Sequence, residues 1–507
     1  MPDNSQWYLL GTAGVVIWSV IYLTRSEKPL DRIPPACPEE HGFFKFRSKK
    51  STLQMLKDGY HTHITRTFKV PEAGTWRVFL NTPALIDEMS KMPEMSLTES
   101  SNEMILMDTT LYPYAPPHEV SSLLSRVIRV SLSQNMDAIL PGIMDEVKAS
   151  FNDMLGEKVA TEWVSVPAAQ SMIKAIARVT NRVTIGLPLC REEEVVNGSI
   201  KFTTTVFLTG FAVSFLPHSL KRPFAKLVLG WAGVRERLEK YVWPVVEERL
   251  EAVRVHGKDW EGLPPDVLTW VIQDVPDHNL TAKYISQVLI GMNFAAVHTS
   301  SMTLTHAIFQ LAVEGDKYLP ELRQEAETIL SSEGYTKTSL NKLVKMDSFF
   351  KEILRFHGVG GTRKPDFPSR RPTVSPQRMT TGDVTLSDGT FLPRGTLVGG
   401  NVIQIHSNEQ FYPHAAEFDG FRYVEDGKTT GGSLITTSPT FLTFGHGKQA
   451  CPGRFFANFE LKAMLAHLIL NYDIKMDGPA VRPENVQFRY GVAPHRTAKV
   501  MFRKIAA

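Results

Sequence analysis

Between Thr281 and Glu314 the chain runs without a proline, although it holds 32 prolines in all. As a helix at about 1.5 Å per residue this stretch spans roughly 45–50 Å, enough to cross a whole domain. Helical patterns with few internal prolines extend around it from about 119 to 350. The character changes between about 365 and 435, where Pro365, Pro368, Pro372, Pro376, Pro393 and Pro413 recur. There, Val384-Thr385-Leu386, an Asp388-Gly389 turn and Phe391-Leu392 predict a hairpin. Helix returns after Pro452. No repeat, low-complexity stretch or long polar linker divides this body. The expectation is a mostly α chain with a smaller β portion, folded as a single large domain over 41–507.

The N-terminus adds a different constraint. From Asn4 to Thr24 there is no charge, and a helix of that length spans about 31 Å, the thickness of a bilayer's hydrocarbon core. Trp7, Tyr8 and Tyr22 sit near its ends, as interfacial aromatics do. Arg25, Lys28 and Arg32 follow it, whereas only Asp3 precedes it, which places the body in the cytosol. A cleaved signal peptide fits less well, because the basic n-region is missing and the apolar run is long. Residues 1–28 therefore predict a transmembrane helix and its flank. Residues 29–40, with Pro29, Pro34, Pro35 and Pro38, predict a stiff, extended linker. On this topology the sequons at Asn197 and Asn279 stay bare.

Composition excludes other classes. Lys and Arg total 56 against 53 Asp and Glu, a formal charge of +3, without the clustered excess that a phosphate-binding face requires, so no nucleic acid partner is expected. Three distant cysteines, Cys37, Cys190 and Cys451, cannot make a disulfide framework. His118-Glu119 lacks the second histidine of a zinc-protease helix. Gly447-Lys448 is not followed by Ser or Thr. Gly358-Val359-Gly360-Gly361 opens no dinucleotide fingerprint, and no Gly-x-Ser-x-Gly elbow exists.

Chemistry concentrates in Phe441–Ala457. Two glycines let the backbone take positive φ and approach a flat object closely. Cys451 ends the loop, and Pro452 suits a helix start. The helix that follows buries Phe455, Phe456, Phe459, Leu465, Leu468 and Ile469. A thiol at a helix N-terminus is biased toward thiolate. Held rigidly among amide N–H groups, such a thiolate is a good axial ligand for haem iron. Taken alone, a buried, inert cysteine before an ordinary amphipathic helix is the default reading of the loop.

The loop resembles the haem-thiolate pattern of the cytochrome P450 superfamily at Phe444, Gly447, Cys451 and Gly453. It departs at Gln449, where that family usually places an arginine or histidine on a haem propionate. Either another cation compensates or the haem is held less tightly. Glu352-Ile353-Leu354-Arg355 matches the family's Glu-x-x-Arg, with both side chains on one helix face. Arg422, in Phe418-Asp419-Gly420-Phe421-Arg422, matches the arginine that completes a structural Glu–Arg–Arg cluster. In the long helix, Ala295-Ala296-Val297-His298-Thr299-Ser300 stands where the family carries Ala-Gly-x-Asp/Glu-Thr. Ala296 replaces the glycine, His298 replaces the acid, and Thr299 matches. The Ala-Ala-x-His-Thr arrangement is similar to that of fungal terpenoid-oxidising members, gibberellin-pathway enzymes included. The resemblance is strongest over 281–472 and weak over 50–280.

The resemblance implies a cofactor, haem b (iron protoporphyrin IX), with Cys451 on the iron and Arg378, Arg129 and His446 as candidate propionate contacts. It implies oxidation of a hydrophobic small molecule by O2, with Thr299 and His298 guiding protons. The chain lacks a flavin or nicotinamide fingerprint, so electrons come from a separate NADPH-dependent flavoprotein reductase, docked against Lys448, Arg454, Lys345 and Lys351. Membrane lipid and an endoplasmic-reticulum location with a cytosolic body follow from the anchor. The pocket walls are expected near Met104–Tyr114, Phe207–Phe211, Phe294–Val297, 359–362 and 491–493. Phe202, Phe207, Phe211 and Phe215 are expected in the core. By analogy the substrate is a terpenoid or meroterpenoid of fungal secondary metabolism. A haem-thiolate isomerase or dehydratase that uses no O2, and a non-enzymatic haem-binding protein, are the alternatives. Retention of Thr299 argues against the former.

Overall fold

The computed structural model describes residues 30–37, 52–72, 75–358, 376–488 and 491–505. The expected membrane span at 4–24 and the pocket wall at 359–362 lie outside the described residues. Among the described residues no helix is long and apolar enough to cross a membrane.

The long helix starts where its cap dictates. Thr281 is extended, and its hydroxyl accepts the Tyr284 N–H at 3.2 Å. Helix runs from Ala282 to Glu333, but the backbone leaves helical geometry at Glu314 (φ −118°, ψ 31°), so the proline-free stretch forms one rod and Pro320 lies in a second. From Tyr284 to Asn293 the first rod is buried at every position, as a helix at the centre of a large core must be. Helices Ala168–Thr184, Glu193–Val213, Val234–His256, Val344–His357 and Arg454–Asn471 pack around it.

The β portion is smaller and lies to one side. A five-stranded sheet orders Phe68–Glu72, Thr75–Leu80, Leu397–Gly400, Gln377–Thr380 and Met95–Ser96. Its one parallel pair sets Val78 opposite Val398. Two of these strands, Phe68–Glu72 and Thr75–Leu80, form an antiparallel pair that the sequence reading passed over. The hairpin expected at 384–392 is present, with Val384 opposite Leu392 and Gly389 at φ +81°. A three-stranded sheet joins Tyr472–Met476, Lys499–Lys504 and Val164–Pro167.

The described part of the expected linker is not free. Lys69 N–H donates to the Pro34 carbonyl and Ala36 N–H to the Lys69 carbonyl, both at 2.9 Å. Leu30, Ile33 and Ala36 are buried. The prolines make this stretch extended, and the sheet edge then takes it up.

The surface carries one unusual element. Helix His218–Ala232 buries only Ala225. Leu220, Phe224, Leu227 and Trp231, at helical spacing, stand outward, with Leu227 70% and Trp231 90% exposed. Phe202 is core as expected, but Phe207, Phe211 and Phe215 are exposed: Phe207 stacks on Phe294 of the central helix instead of entering the core, and Phe211 and Phe215 stand edge to face at the end of helix Glu193–Val213 and its exit. Gly210 of that helix lies so close to the next segment that a Cβ would stand 2.9 Å from the Met104 carbonyl.

Candidate active site

The cysteine loop is shaped by two left-handed glycines, Gly445 (φ +70°) and Gly447 (φ +73°). At Gly447 a Cβ would also meet Ser90 at 2.6–2.8 Å, so both conformation and space demand glycine. Gly445 N–H donates to the Leu442 carbonyl at 2.8 Å, and Cys451 N–H closes the loop on the Phe444 carbonyl at 2.8 Å. The helix begins at Arg454, two residues later than the proline suggested, with Gly453 as its cap. Phe455 is only half-buried and carries the Arg454 guanidinium 4.3 Å from its ring.

This geometry aims amides at the sulfur. Burial pushes the Cys451 thiol above its ordinary value, opposed by the N–H groups of Gly453 and Arg454 and by the charges of Arg454 and Arg129. The expected thiolate bias is therefore present but outweighed by burial. A metal ion at the sulfur reverses that order, since a coordinating thiol is deprotonated outright.

Gln449 is accounted for without a propionate. Its side chain donates to the Met95 carbonyl at 2.6 Å and accepts the Leu97 N–H at 2.7 Å, tying the loop to the start of helix Leu97–Ile105. His446 is likewise engaged: its Nε2 stands 3.1 Å from Asp87 Oδ1. Arg129 is exposed and donates to the Lys448 carbonyl at 2.8 Å, bracing the loop's backbone.

Arg378 differs. It is 2% exposed, and its Nη1 donates to the Gln377 carbonyl at 2.6 Å, but Nε and Nη2 have no partner among the described residues. Burial alone pulls its guanidinium down to about 10. Its strand starts beside the loop, where Pro376 would lie 4.0 Å from a Cβ on Gly445. A buried guanidinium with two orphaned donors calls for an anion. A haem propionate meets that need, so the residues fit the cofactor that the loop implies.

On the central helix Ala295 and Thr299, one turn apart, are exposed, whereas Val297 and Ser300 are buried. Thr299 Oγ1 donates to the carbonyls of Ala295 at 2.8 Å and Ala296 at 3.2 Å, leaving its lone pairs to the open side. His298 points elsewhere: its Nε2 lies 3.4 Å from the Ile200 carbonyl on the neighbouring helix, and burial lowers its pKa. A carbonyl only accepts, so Nε2 carries the proton. The structure does not join the two side chains.

The Glu–Arg–Arg cluster is assembled. Arg355 meets both oxygens of Glu352 at 2.6 and 2.5 Å, and Arg422 Nε stands 3.2 Å from Oε1. The guanidiniums also bond the carbonyls of His406, Ala415, Pro413 and His414. Glu352 and Arg355 thereby fasten the 406–422 segment under the helix that carries them.

Three of the four expected docking cations are already engaged by the chain itself. Lys351 is buried, bonded to the carbonyls of Gly431 and Gly432 at 2.8 and 2.7 Å, and burial lowers it to about 8. Lys345 pairs with Glu321 at 2.7 Å, and Arg454 bonds the Ile435 and Cys451 carbonyls. Of the four, Lys448 alone is fully exposed.

Comparison with known proteins converges on one family. The family model "Cytochrome P450" matches residues 122–501. The chain is 32% identical to cytochrome P450 monooxygenase 71 of Postia placenta, over 99% of each chain. It is 29% identical to an ent-kaurene oxidase of Gibberella intermedia, over 89% of this chain and 83% of that one. Among solved structures, a retinoic-acid-bound cyanobacterial CYP120A1 superposes with a TM-score of 0.64 at 19% identity, over 90% of this chain and 96% of that one. The chain belongs to the cytochrome P450 family. It is a monooxygenase of the haem-thiolate kind, with a mostly helical fold and a smaller sheet portion, and its cofactor is haem b.

Proposed function

We propose that this cytochrome P450 is a membrane-bound enzyme that oxidises a terpenoid or meroterpenoid in fungal secondary metabolism, with electrons from a separate NADPH-dependent flavoprotein reductase. The observation that carries the reading is the cysteine loop: one thiol among converging amides, beside a buried arginine that lacks an anion. Cys451 would hold the haem iron through its sulfur, and Arg378 would take a propionate. Arg129 and Gln449 brace the loop, Phe444, Gly447 and Gly453 shape it, and Asp87 fixes His446. When bound, the haem supplies activation of dioxygen and oxidation of unactivated C–H bonds.

The chain's own residues do the rest. Thr299 Oγ1 offers its lone pairs on the open side of the helix and accepts a proton there. His298, kept neutral by burial, holds a proton on Nε2 against the Ile200 carbonyl, and would have to turn from it toward Thr299 to act as the second member of the relay. Apolar side chains from Phe294 and Phe207, whose rings stack at 5.1 Å, exclude water from the substrate's side. The relatives named ent-kaurene oxidase support a terpenoid substrate. The uncharged run from Asn4 to Thr24 and the outward stripe of helix His218–Ala232 support an endoplasmic-reticulum membrane as the site of action, with the catalytic body cytosolic.

The test is turnover by the full chain in membranes with a flavoprotein reductase, NADPH, labelled dioxygen and a panel of diterpene hydrocarbons. One labelled oxygen in an NADPH-dependent product is expected, and Cys451→Ser should abolish the thiolate-type spectrum of the reduced carbon monoxide complex. Product that forms without NADPH or carries no label would overturn the monooxygenase reading in favour of an isomerase.

A further inference from the structure

Helix Val344–His357 carries a cation that none of the preceding chemistry uses. Lys351 is 2% exposed. Among the described residues no carboxylate forms an ion pair with it. Asp347, one turn earlier, favours its charge but is itself bound to Lys462 and to the Leu434 N–H, both at 2.6 Å. A buried ammonium without a carboxylate is costly, so other groups must take up its charge.

Backbone and rings do so. The Gly431 and Gly432 carbonyls accept from the same Nζ at 2.8 and 2.7 Å. Both residues have left-handed backbone, at φ +64° and +80°, which glycine adopts without strain. A Cβ on Gly432 would also stand 2.7 Å from the Thr436 side chain, so this turn has no room for another residue. Nζ further lies 4.2 Å from the centre of the Tyr423 ring and 5.2 Å from that of Phe441. A cation over a ring face gains more when both are shut off from water. Burial lowers the ammonium to about 8, so it keeps its proton at neutral pH.

Phe441 is where this cage meets the cysteine loop. Its ring stacks on His406 at 5.8 Å, and His406 Nε2 accepts the Leu442 N–H at 3.2 Å. The Leu442 carbonyl then takes the Gly445 N–H, and the Phe444 carbonyl takes the Cys451 N–H, both at 2.8 Å. His406 is itself fastened, since its carbonyl accepts from Arg355 at 2.7 Å. The first residue of the loop is thus gripped by two buried side chains, one an imidazole tied to the Glu–Arg–Arg cluster and one a caged ammonium. A printed contact joins each step from Lys351 Nζ to the Cys451 backbone.

We propose that Lys351 is a positioning residue for the cysteine loop: its ammonium, caged by the Gly431 and Gly432 carbonyls and the Tyr423 and Phe441 rings, anchors Phe441 and with it the loop that presents Cys451. The inference rests on the proposed role of Cys451 at the haem iron. It gives this lysine work inside the fold, where sequence reasoning had set it on a docking face. The carbonyl bonds hold the ammonium in place, and the ring contact passes that fixity to the loop.

The test follows the reduced carbon monoxide complex of the haem-loaded full chain and times the decay of its thiolate-type band. Lys351→Met removes the charge, and Phe441→Leu removes the ring but spares the carbonyl bonds. Each should lose the band about tenfold faster than the wild type, the order of effect that one desolvated cation–ring contact supports. The double variant should decay no faster than the faster single, because both remove the same contact. Lys351→Arg, which keeps the charge, should restore most of the lifetime. A purely structural lysine would lower the urea midpoint and leave the decay of the folded protein unchanged. Wild-type decay in Lys351→Met, or single effects that multiply in the double variant, would overturn the proposal. Should the wild type show no thiolate-type band, the reading of Cys451 fails, and the urea midpoints of the same four chains still decide whether Lys351 and Phe441 are coupled.

Discussion

Glu352 shows how much one side chain can hold. Its two oxygens take Arg355 and Arg422 in a site where Glu352 is 0% and Arg355 3% exposed. Glu352→Ala strands two guanidiniums and should cost about 3–5 kcal/mol, read as a lower urea midpoint of the full chain. Replacing Glu352 and Arg355 together by Met and Leu should cost less, because only Arg422 is then left without its carboxylate. Residues of this kind were legible in the sequence. Their chemistry tolerates few alternatives, and two of the partners sit three positions apart. Gln449, His446 and Lys351 were not legible as they stand. Their partners are Met95, Asp87 and Gly431, and for Gln449 the separation is 354 residues.

Among the elements, the long helix was read almost to the residue, since Thr281 caps it and proline is absent until 320. The strands at 68–80 were missed. Their pattern is short, and Thr75–Leu80 is completed only by Leu397–Gly400, hundreds of residues on. Periodicity also misplaced the phenylalanines at 207–215, because a helical stripe does not say whether it faces protein or something else. Helix His218–Ala232 raises the same question and offers a direct check. Its polar side is already occupied: Lys221 meets Glu103 and Arg222 meets Asp108, both at 2.6 Å. The apolar side stands exposed, and on the proposed membrane-bound function it meets lipid. When the full chain is reconstituted in vesicles, Trp231, 90% exposed, should lose access to aqueous iodide and emit further to the blue. Trp231→Phe should remove that component, and an unchanged spectrum would count against lipid contact.

The molecule as a whole is held by two kinds of force. The long helix sits in a large apolar cluster, and a second cluster with Val78, Val398 and Leu442 underlies the sheet. Phe441 belongs to the first and Leu442 to the second, so the cysteine loop rises from their seam. The 97–114 segment puts Ile105, Met107, Leu111 and Tyr112 into the first cluster and adds polar ties to the outer helices. Besides Glu103 and Asp108, Arg235 holds the Thr110 and Leu111 carbonyls at 2.8 Å, and Tyr114 meets Glu239. Exposed ion pairs contribute about 0–1 kcal/mol each and fade with salt. Raising salt to about 1 M, where screening acts within roughly 3 Å, should speed amide exchange across 97–114 and leave 284–293 unchanged. The stitch between Pro34 and Lys69 has its own consequence. Were residues 4–24 to lie in a bilayer, as proposed, the chain from Leu30 to Ala36 would already be fixed to the sheet edge, and the body would have less freedom to turn than one tied by a free linker.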